Sequence, residues 1–294
     1  MSKPRVSVVM PAFNAEKYIS FAVRSVLSQT VSDIELVVVD DGSADHTVEV
    51  VKSFEDPRVR LIRVERNQGV AAALDEGVLE AKSDTIAVIN ADDVYVPTKL
   101  EEQLRLVQER TVVYTGWFRL GEDSQIQYRF LKMHEGNFAT YLARGRHGIL
   151  LASMMFSKPE AQKVGLYDRS LRVREDTDFA LKMFEDGNRF VGIPRPLYGY
   201  RFVPHSLSAV GGKQSYRILY DVIMRHSKVI DLKDEGVRFN LASCMIASRK
   251  TGAAVRWMLS HPGMVKVFYQ CYRDPGRIER AFEKSKQYET APHG

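Results

Sequence analysis

The chain has 294 residues, 45% hydrophobic and 27% charged, with a formal net charge of +5. That length fits one large domain or one domain with an appendage, and the composition excludes a disordered, collagen-like or disulfide-stapled chain. The charge is mild and acids interleave with bases, which suits an anionic small ligand or an acidic membrane surface and argues against nucleic acid as a partner.

The first hundred residues alternate between two periods. Val6–Met10 is a short β-branched run ending at Pro11, and residues 15–29 carry Tyr18, Ile19, Ala22, Val23, Val26 and Leu27 at helical spacing. Ile34–Val39 is almost wholly apolar, as expected of a strand buried on both faces. Residues 43–54 read as a helix with Ser43 or Asp45 as cap, 59–64 as a third strand, 69–81 as an alanine-rich helix and 85–89 as a fourth strand. Pro97 opens a further helix to about residue 109. Such alternation predicts parallel strands joined by crossovers, with ligands beyond the carboxyl ends of the strands. Three polar clusters occupy those ends: Pro11-Ala12-Phe13-Asn14, Asp40-Asp41-Gly42-Ser43, and Asn90-Ala91-Asp92-Asp93.

Beyond residue 110 the pattern changes. Strands are expected at 112–115 and 125–131 around a turn at 121–124, a short helix at 137–144, and a core strand at 150–156. A helix is expected at 177–186, stopped by Gly187, then a strand at 190–193 leading to a proline-rich bend and Tyr198-Gly199-Tyr200-Arg201. From Lys213 onward the reading is helical.

Adjacent carboxylates such as Asp92 and Asp93 can be an acid/base pair, a metal site or a solvated turn. Hard cations such as Mg²⁺ and Mn²⁺ take oxygen ligands and are readily shared between carboxylates and phosphates. Neither GxGxxG after the first strand nor GxxxxGK[ST] is present, so the usual backbone cradle for phosphate is lacking. A cation held by acidic residues is the other way to hold a diphosphate.

The ordered set Ser7-Val-Val-Met-Pro-Ala-Phe-Asn14, Val38-Val-Asp-Asp-Gly-Ser43, Asn67-Gln-Gly69 and Ala91-Asp-Asp93 resembles the successive signatures of family 2 glycosyltransferases of the GT-A fold. Lys163–Asp168, Arg174–Lys182, Gly187 and Tyr200-Arg201 resemble the acceptor-side half of that family, so the resemblance covers roughly residues 4–210. It implies an α/β, GT-A (Rossmann-like), mostly parallel sheet flanked by helices. It also implies transfer of a sugar from a nucleotide-diphospho-sugar, a UDP-sugar being favoured, to a glycan or lipid-linked acceptor, with inversion.

Residue by residue, the resemblance implies that Pro11, Ala12, Phe13 and Asn14 pack on the nucleotide base. Asp41 would read the base, while Asp40 fixes the turn. Asn67 and Gly69 belong to the donor loop, Asp92 would touch the ribose or the cation, and Asp93 would be the direct ligand of Mn²⁺ or Mg²⁺. Asp176, with Glu175 beside it, matches the base that takes the acceptor hydroxyl's proton; an acidic helix N-terminus favoured by the dipole is the alternative reading. Arg201, Ser206 and Ser208 would line the diphosphate pocket from a loop, and His205 would reach the cation.

Three departures stand out. Asn90 replaces a frequent Asp; Ala73-Leu74-Asp75 replaces a stretch that often carries an Arg and an Asn, so a basic contact to the diphosphate is missing there; and Val203 stands where many members have a His.

The expected organisation is a catalytic domain over 1–210 (donor side 1–110, acceptor side 111–210) and a helical C-terminal extension over 211–294. His147 and Gly148 are candidates for acceptor contacts, and Trp117, Phe118, Tyr128 and Phe130 either stack on sugar or fill a hairpin core. The basic, aromatic tail over 254–273 either packs on the domain or on a second subunit, as in a homodimer, or makes peripheral membrane contact. Cys244 and Cys271 have no metal or redox spacing, no leader pattern opens the chain, and no run of apolar residues is long enough to span a bilayer, so a cytoplasmic protein is expected. Two rival functions are a sugar-nucleotide pyrophosphorylase, whose glycine- and arginine-rich loop is absent, and an inactive nucleotide-sugar-binding protein.

Overall fold

A computed structural model describes residues 3–145, 148–202 and 212–247. The β-branched runs of the first ninety residues form strands Val6–Ala12 (β1), Ile34–Asp40 (β2), Val59–Arg63 (β3) and Thr85–Val88 (β4), parallel in the order β3-β2-β1-β4. Every residue of β1 and β2 is buried, which is why both read as unbroken apolar runs. Helices Ile19–Leu27 (α1), Thr47–Lys52 (α2) and Val70–Glu80 (α3) lie between them in sequence. One face of the sheet, with Val8, Met10, Leu36 and Val38, packs on Ile19, Ala22, Val23 and Val26 of α1. On the other face Val37 and Val39 meet Ala73 of α3. A Cβ at Gly77 of α3 would collide with Val9, so the small residues of this helix set how closely it lies on the sheet.

The acceptor half adds Val94–Tyr95 (β5), Lys99–Leu104 (α4), Thr111–Leu120 (β6), Ile126–Phe130 (β7), Phe138–Ala143 (α5), Met155–Ser157 (β8), Lys158–Lys163 (α6), Glu175–Glu185 (α7) and Arg189–Arg201 (β9). The sheet continues β4-β8-β6-β9-β5, with β7 paired to β6. Here the pairing is mixed: β8 is antiparallel to β4 and β6, whereas β9 runs parallel to β6.

Two local expectations change. The proline-rich bend is part of one 13-residue strand, β9. Its register against β6 jumps from Thr115↔Ile193 to Gly116↔Pro196, so a bulge absorbs the prolines. Gly116 is needed there, because a Cβ would stand 2.8 Å from the carbonyl oxygens of Arg195 and Phe130. The core strand expected at 150–156 is a 3-10 turn, Leu151–Ser153, followed by β8.

The chain divides into two compact units. The first comprises residues 1–133 and 149–203, and the second 134–148 and 204–294, so α5 groups with the helical extension rather than with the acceptor side. Within the second unit, Gly212–Arg225 (α8) and Glu235–Ala247 (α9) follow in sequence. Asp234 takes a paired contact from Arg144 (2.8 and 3.1 Å), and Asn240 Nδ2 donates to the Ala143 carbonyl (2.9 Å). Among the described residues no helix is long and apolar enough to cross a membrane.

Candidate active site

The ends of β1 and β2 are stitched together by side chains. Asn14, at a left-handed φ of 48°, accepts from the Ala44 N–H through Oδ1 (2.9 Å), and its own N–H donates to Ser43 Oγ (2.9 Å). Pro11 and Ala12 are buried within β1, while Phe13 is 49% exposed at its end. Of the four residues expected to pack on a base, Phe13 presents an open aromatic face and Asn14 holds the loop.

Asp41, expected to read the base, has both carboxylate oxygens engaged by backbone. Asp41 accepts the backbone N–H groups of Gln68 and Gly69, one on each oxygen, both at 2.8 Å. It therefore fixes the loop that carries Asn67 and Gly69, in which Gly69 adopts φ 99°. Asp40, the last residue of β2, is fully buried, and neither of its oxygens has a hydrogen-bond partner. Its nearest cation is Arg63, with Nε 3.7 Å away. The reason is the period of the strand: neighbouring residues point to opposite faces, so a pair cannot anchor the same loop twice.

The end of β4 repeats the pattern. Asp93 is fully buried, its Oδ2 accepting from Asn90 Nδ2 (2.9 Å) and Tyr198 Oη (2.7 Å) and its Oδ1 from the Arg201 N–H (2.7 Å). Burial, and then the charge of Asp92, push its carboxyl well above the usual range. Asp92 is less buried, and among the described residues its carboxylate accepts no hydrogen bond from another side chain. Burial raises it, and a hydrogen bond from its own backbone N–H and then the Arg201 charge partly offset this. The geometry thus ties Asp93 into the scaffold and leaves Asp92 available.

Arg201 is corrected as well. It ends β9 rather than sitting on a loop, and it is 1% exposed. Its Nε donates to the Asp92 carbonyl (2.9 Å) and its Nη1 to the Gly121 carbonyl (3.1 Å) and Ser124 Oγ (2.9 Å), while its guanidinium lies 4.7 Å from the Tyr18 ring centroid. It braces the acidic turn instead of lining an open pocket.

Glu175 and Asp176 open α7, after Arg174 in a left-handed conformation. Asp176 Oδ1 accepts from the Thr177 N–H (2.6 Å) and Oγ1 (3.1 Å), and among the described residues no hydrogen bond engages Oδ2. Glu175 is pushed up to about 8, by burial first and by the Asp176 charge second. Tyr167, stacked on Phe179 at 4.3 Å, is raised by burial and by the charges of Asp176, Glu175 and Asp75.

For a divalent cation the test is the donor set. Among the described residues no three His, Cys, Asp or Glu side chains converge. Asp92 can offer one hard oxygen donor, which fits a cation shared with diphosphate oxygens and does not fit a cage built by the protein alone. His205, Ser206 and Ser208, Val203, His147 and the tail over 254–273 lie outside the described residues. Trp117 and Phe130 stack on each other at 5.6 Å, Trp117 meets Tyr200 edge-on at 5.9 Å, and Phe118 is buried, which matches a hairpin core.

Sequence reasoning assigned no role to Tyr198 or Asp75. Tyr198 carried a usable signal, a tyrosine in a strand that pairs with the acidic turn.

The model of the family described as glycosyl transferase family 2 matches residues 7–160. Among known relatives, TuaG of Bacillus subtilis (strain 168), named for teichuronic acid biosynthesis, is 29% identical over 212 residues, spanning 70% of this chain and 82% of TuaG. EpsE of the same organism, named as a glycosyltransferase, is 31% identical over 210 residues, spanning 68% of this chain and 74% of EpsE. The UDP-Glc:alpha-D-GlcNAc-diphosphoundecaprenol beta-1,3-glucosyltransferase WfgD of Escherichia coli is 37% identical over 127 residues, which is 43% of this chain and 50% of WfgD. Among solved structures, S. aureus TarS 1-349 in complex with UDP-GlcNAc aligns with a TM-score of 0.63 at 18% identity, covering 84% of this chain and 74% of that one, a likeness of fold.

Proposed function

The chain belongs to glycosyl transferase family 2, and from that premise we propose that it moves a sugar from a nucleoside-diphosphate donor, a UDP-sugar, to a glycan or lipid-linked acceptor by one inverting displacement. One observation carries the reading. Exposed Phe13, the Asp41-held loop of Gln68 and Gly69, and Asp92 follow β1, β2 and β4, three neighbouring parallel strands. A base stacked on Phe13 would lie beside the loop that Asp41 holds. A diphosphate would reach Asp92, which replaces Asp93 as the expected cation ligand.

When bound there, Mn²⁺ or Mg²⁺ would supply Lewis-acid stabilisation of the charge that develops on the leaving diphosphate. Arg201 and Asp93 hold the turn that presents Asp92. On the acceptor side Asp176 takes the hydroxyl proton through Oδ2, with Oδ1 kept in place by Thr177. Glu175, with its pKa near 8, is mostly neutral at pH 7, so it does not repel the charge on Asp176. WfgD, by its name, acts on a diphosphoundecaprenol-linked sugar. A comparable acceptor here would bring the chain to a membrane surface as a peripheral partner.

The test is a transfer and donor-hydrolysis screen with UDP-, TDP-, GDP- and CDP-sugars, with and without Mn²⁺. Metal-dependent release of one nucleoside diphosphate supports the proposal. Failure to bind or turn over any of these donors would leave the family assignment and remove the proposed reaction.

A further inference from the structure

Asp75 lies in the second turn of α3, the helix whose N-cap residue Gly69 is held by Asp41 (2.8 Å). It is 4% exposed, and a carboxylate so buried is costly unless its oxygens are engaged. Both are: Oδ1 accepts from the Tyr167 N–H (2.9 Å) and Oδ2 from Arg169 Nε (2.8 Å). Both partners belong to the segment that leads into α7. That segment meets α3 again at Gly69, where Arg172 Nη1 lies 2.8 Å from the place a Cβ would take. It is thus fastened along the first two turns of the donor helix. Tyr167 carries the connection onward. Its ring stacks on Phe179 of α7 at 4.3 Å, and Phe179 meets Phe156 of β8 at 5.0 Å. Phe179 follows Asp176 by three residues and Glu175 by four, so the stacked ring lies one helical turn from both acids. The charges of Asp176, Glu175 and Asp75 all add to what burial does to the Tyr167 phenol, as expected of a ring with three carboxylates about it.

We propose that Asp75 is a positioning residue: through Tyr167 it sets where α7 holds Glu175 and Asp176 relative to the donor helix. This rests on Asp176 as the base. A single displacement needs the base in line with the leaving group, and a misplacement of about 1 Å can cost about a hundredfold in rate. The donor loop opens α3 and the base opens α7, and Asp75 joins the two helices through one side chain. The bond to the Tyr167 N–H is the operative one. The side chain of Arg169 is 51% exposed, so its ion pair adds little.

The acid pair reports its own position. Carboxyl ¹³C NMR titration of the full chain follows Glu175, assigned by the loss of its signal in Glu175→Gln. In the wild type it should titrate at about 8. Asp75→Ala should bring it down toward the ordinary value of 4.5, because a loosened α7 start admits water to the pair. Asp75→Asn keeps an acceptor for the Tyr167 N–H and should titrate as the wild type does, as should Arg169→Ala. Should Asp75→Ala fail to fold, Tyr167→Leu, which removes the stack and keeps the N–H bond, carries the same expectation. A folded Asp75→Ala with Glu175 still at about 8 would overturn the proposal, as would an equal fall in Asp75→Asn. A wild-type Glu175 at the ordinary value would remove the buried pair and this proposal with it, leaving the donor-side reading intact. Normal turnover in Asp176→Asn would instead remove the base and leave the placement of the pair.

Discussion

The ends of β2 and β4 carry the same dipeptide, Asp-Asp, and use it in the same way. In each pair the second acid is tied to backbone N–H groups, Asp41 to Gln68 and Gly69 and Asp93 to Arg201, while among the described residues the first takes no hydrogen bond from another residue. The two sites differ in their supports. Asp41 fixes one neighbouring loop by local bonds, whereas Asp93 reaches across the sheet to Tyr198 and Arg201, more than a hundred residues away. Asp40 is sealed and Asp92 is half-buried. A sealed carboxylate is out of a ligand's reach, whereas Asp92 keeps exposed surface. A doubled acid therefore need not be two ligands: in each pair one member holds the neighbouring backbone.

Several substitutions would break or sharpen that comparison. The largest effect is expected outside both pairs. Asp176→Asn should lower kcat by about 10²–10⁴, the usual contribution of a general base, while donor affinity measured by calorimetry stays within twofold. A variant with normal turnover would move the base elsewhere. Next is Glu175→Gln. A carboxyl raised from about 4.5 to about 8 makes the native state bind more protons than the unfolded one, so wild-type stability falls as pH rises through that window. Urea unfolding should find the variant equal to the wild type at pH 4 and more stable above pH 8, by up to about 5 kcal/mol at 1.4 kcal/mol per unit. Equal curves at both pH values would contradict the shift. Smaller again is Asp41→Ala. It strands two N–H groups and should cost about 2 kcal/mol in the same assay.

Much of this was legible in the sequence where one residue type answers to one local rule. The four parallel strands follow from apolar runs, and the acidic clusters fall at their carboxyl ends, because a βαβ chain places its turns there. What was not legible depends on partners remote in sequence. Asp40 and Asp41 are equivalent as letters; only the position of the Gln68–Gly69 loop decides which one is engaged. Arg201 read as a loop residue because prolines at 194 and 196 suggested a bend, and the bulge at Gly116 that keeps β9 continuous lies some eighty residues away. Asp75 sits in the sequence as one acid of an alanine-rich helix, and its partners, the Tyr167 N–H and Arg169, lie more than ninety residues away.

The most direct measurement is calorimetry of UDP with and without Mn²⁺ on Asp92→Asn and Asp93→Asn, alongside thermal unfolding of both. Loss of Mn²⁺-dependent binding in Asp92→Asn at unchanged thermal stability, with Asp93→Asn instead destabilised, is the predicted result. Retained Mn²⁺-dependent binding in Asp92→Asn, with its loss in a stable Asp93→Asn, would contradict the division of labour between the two acids.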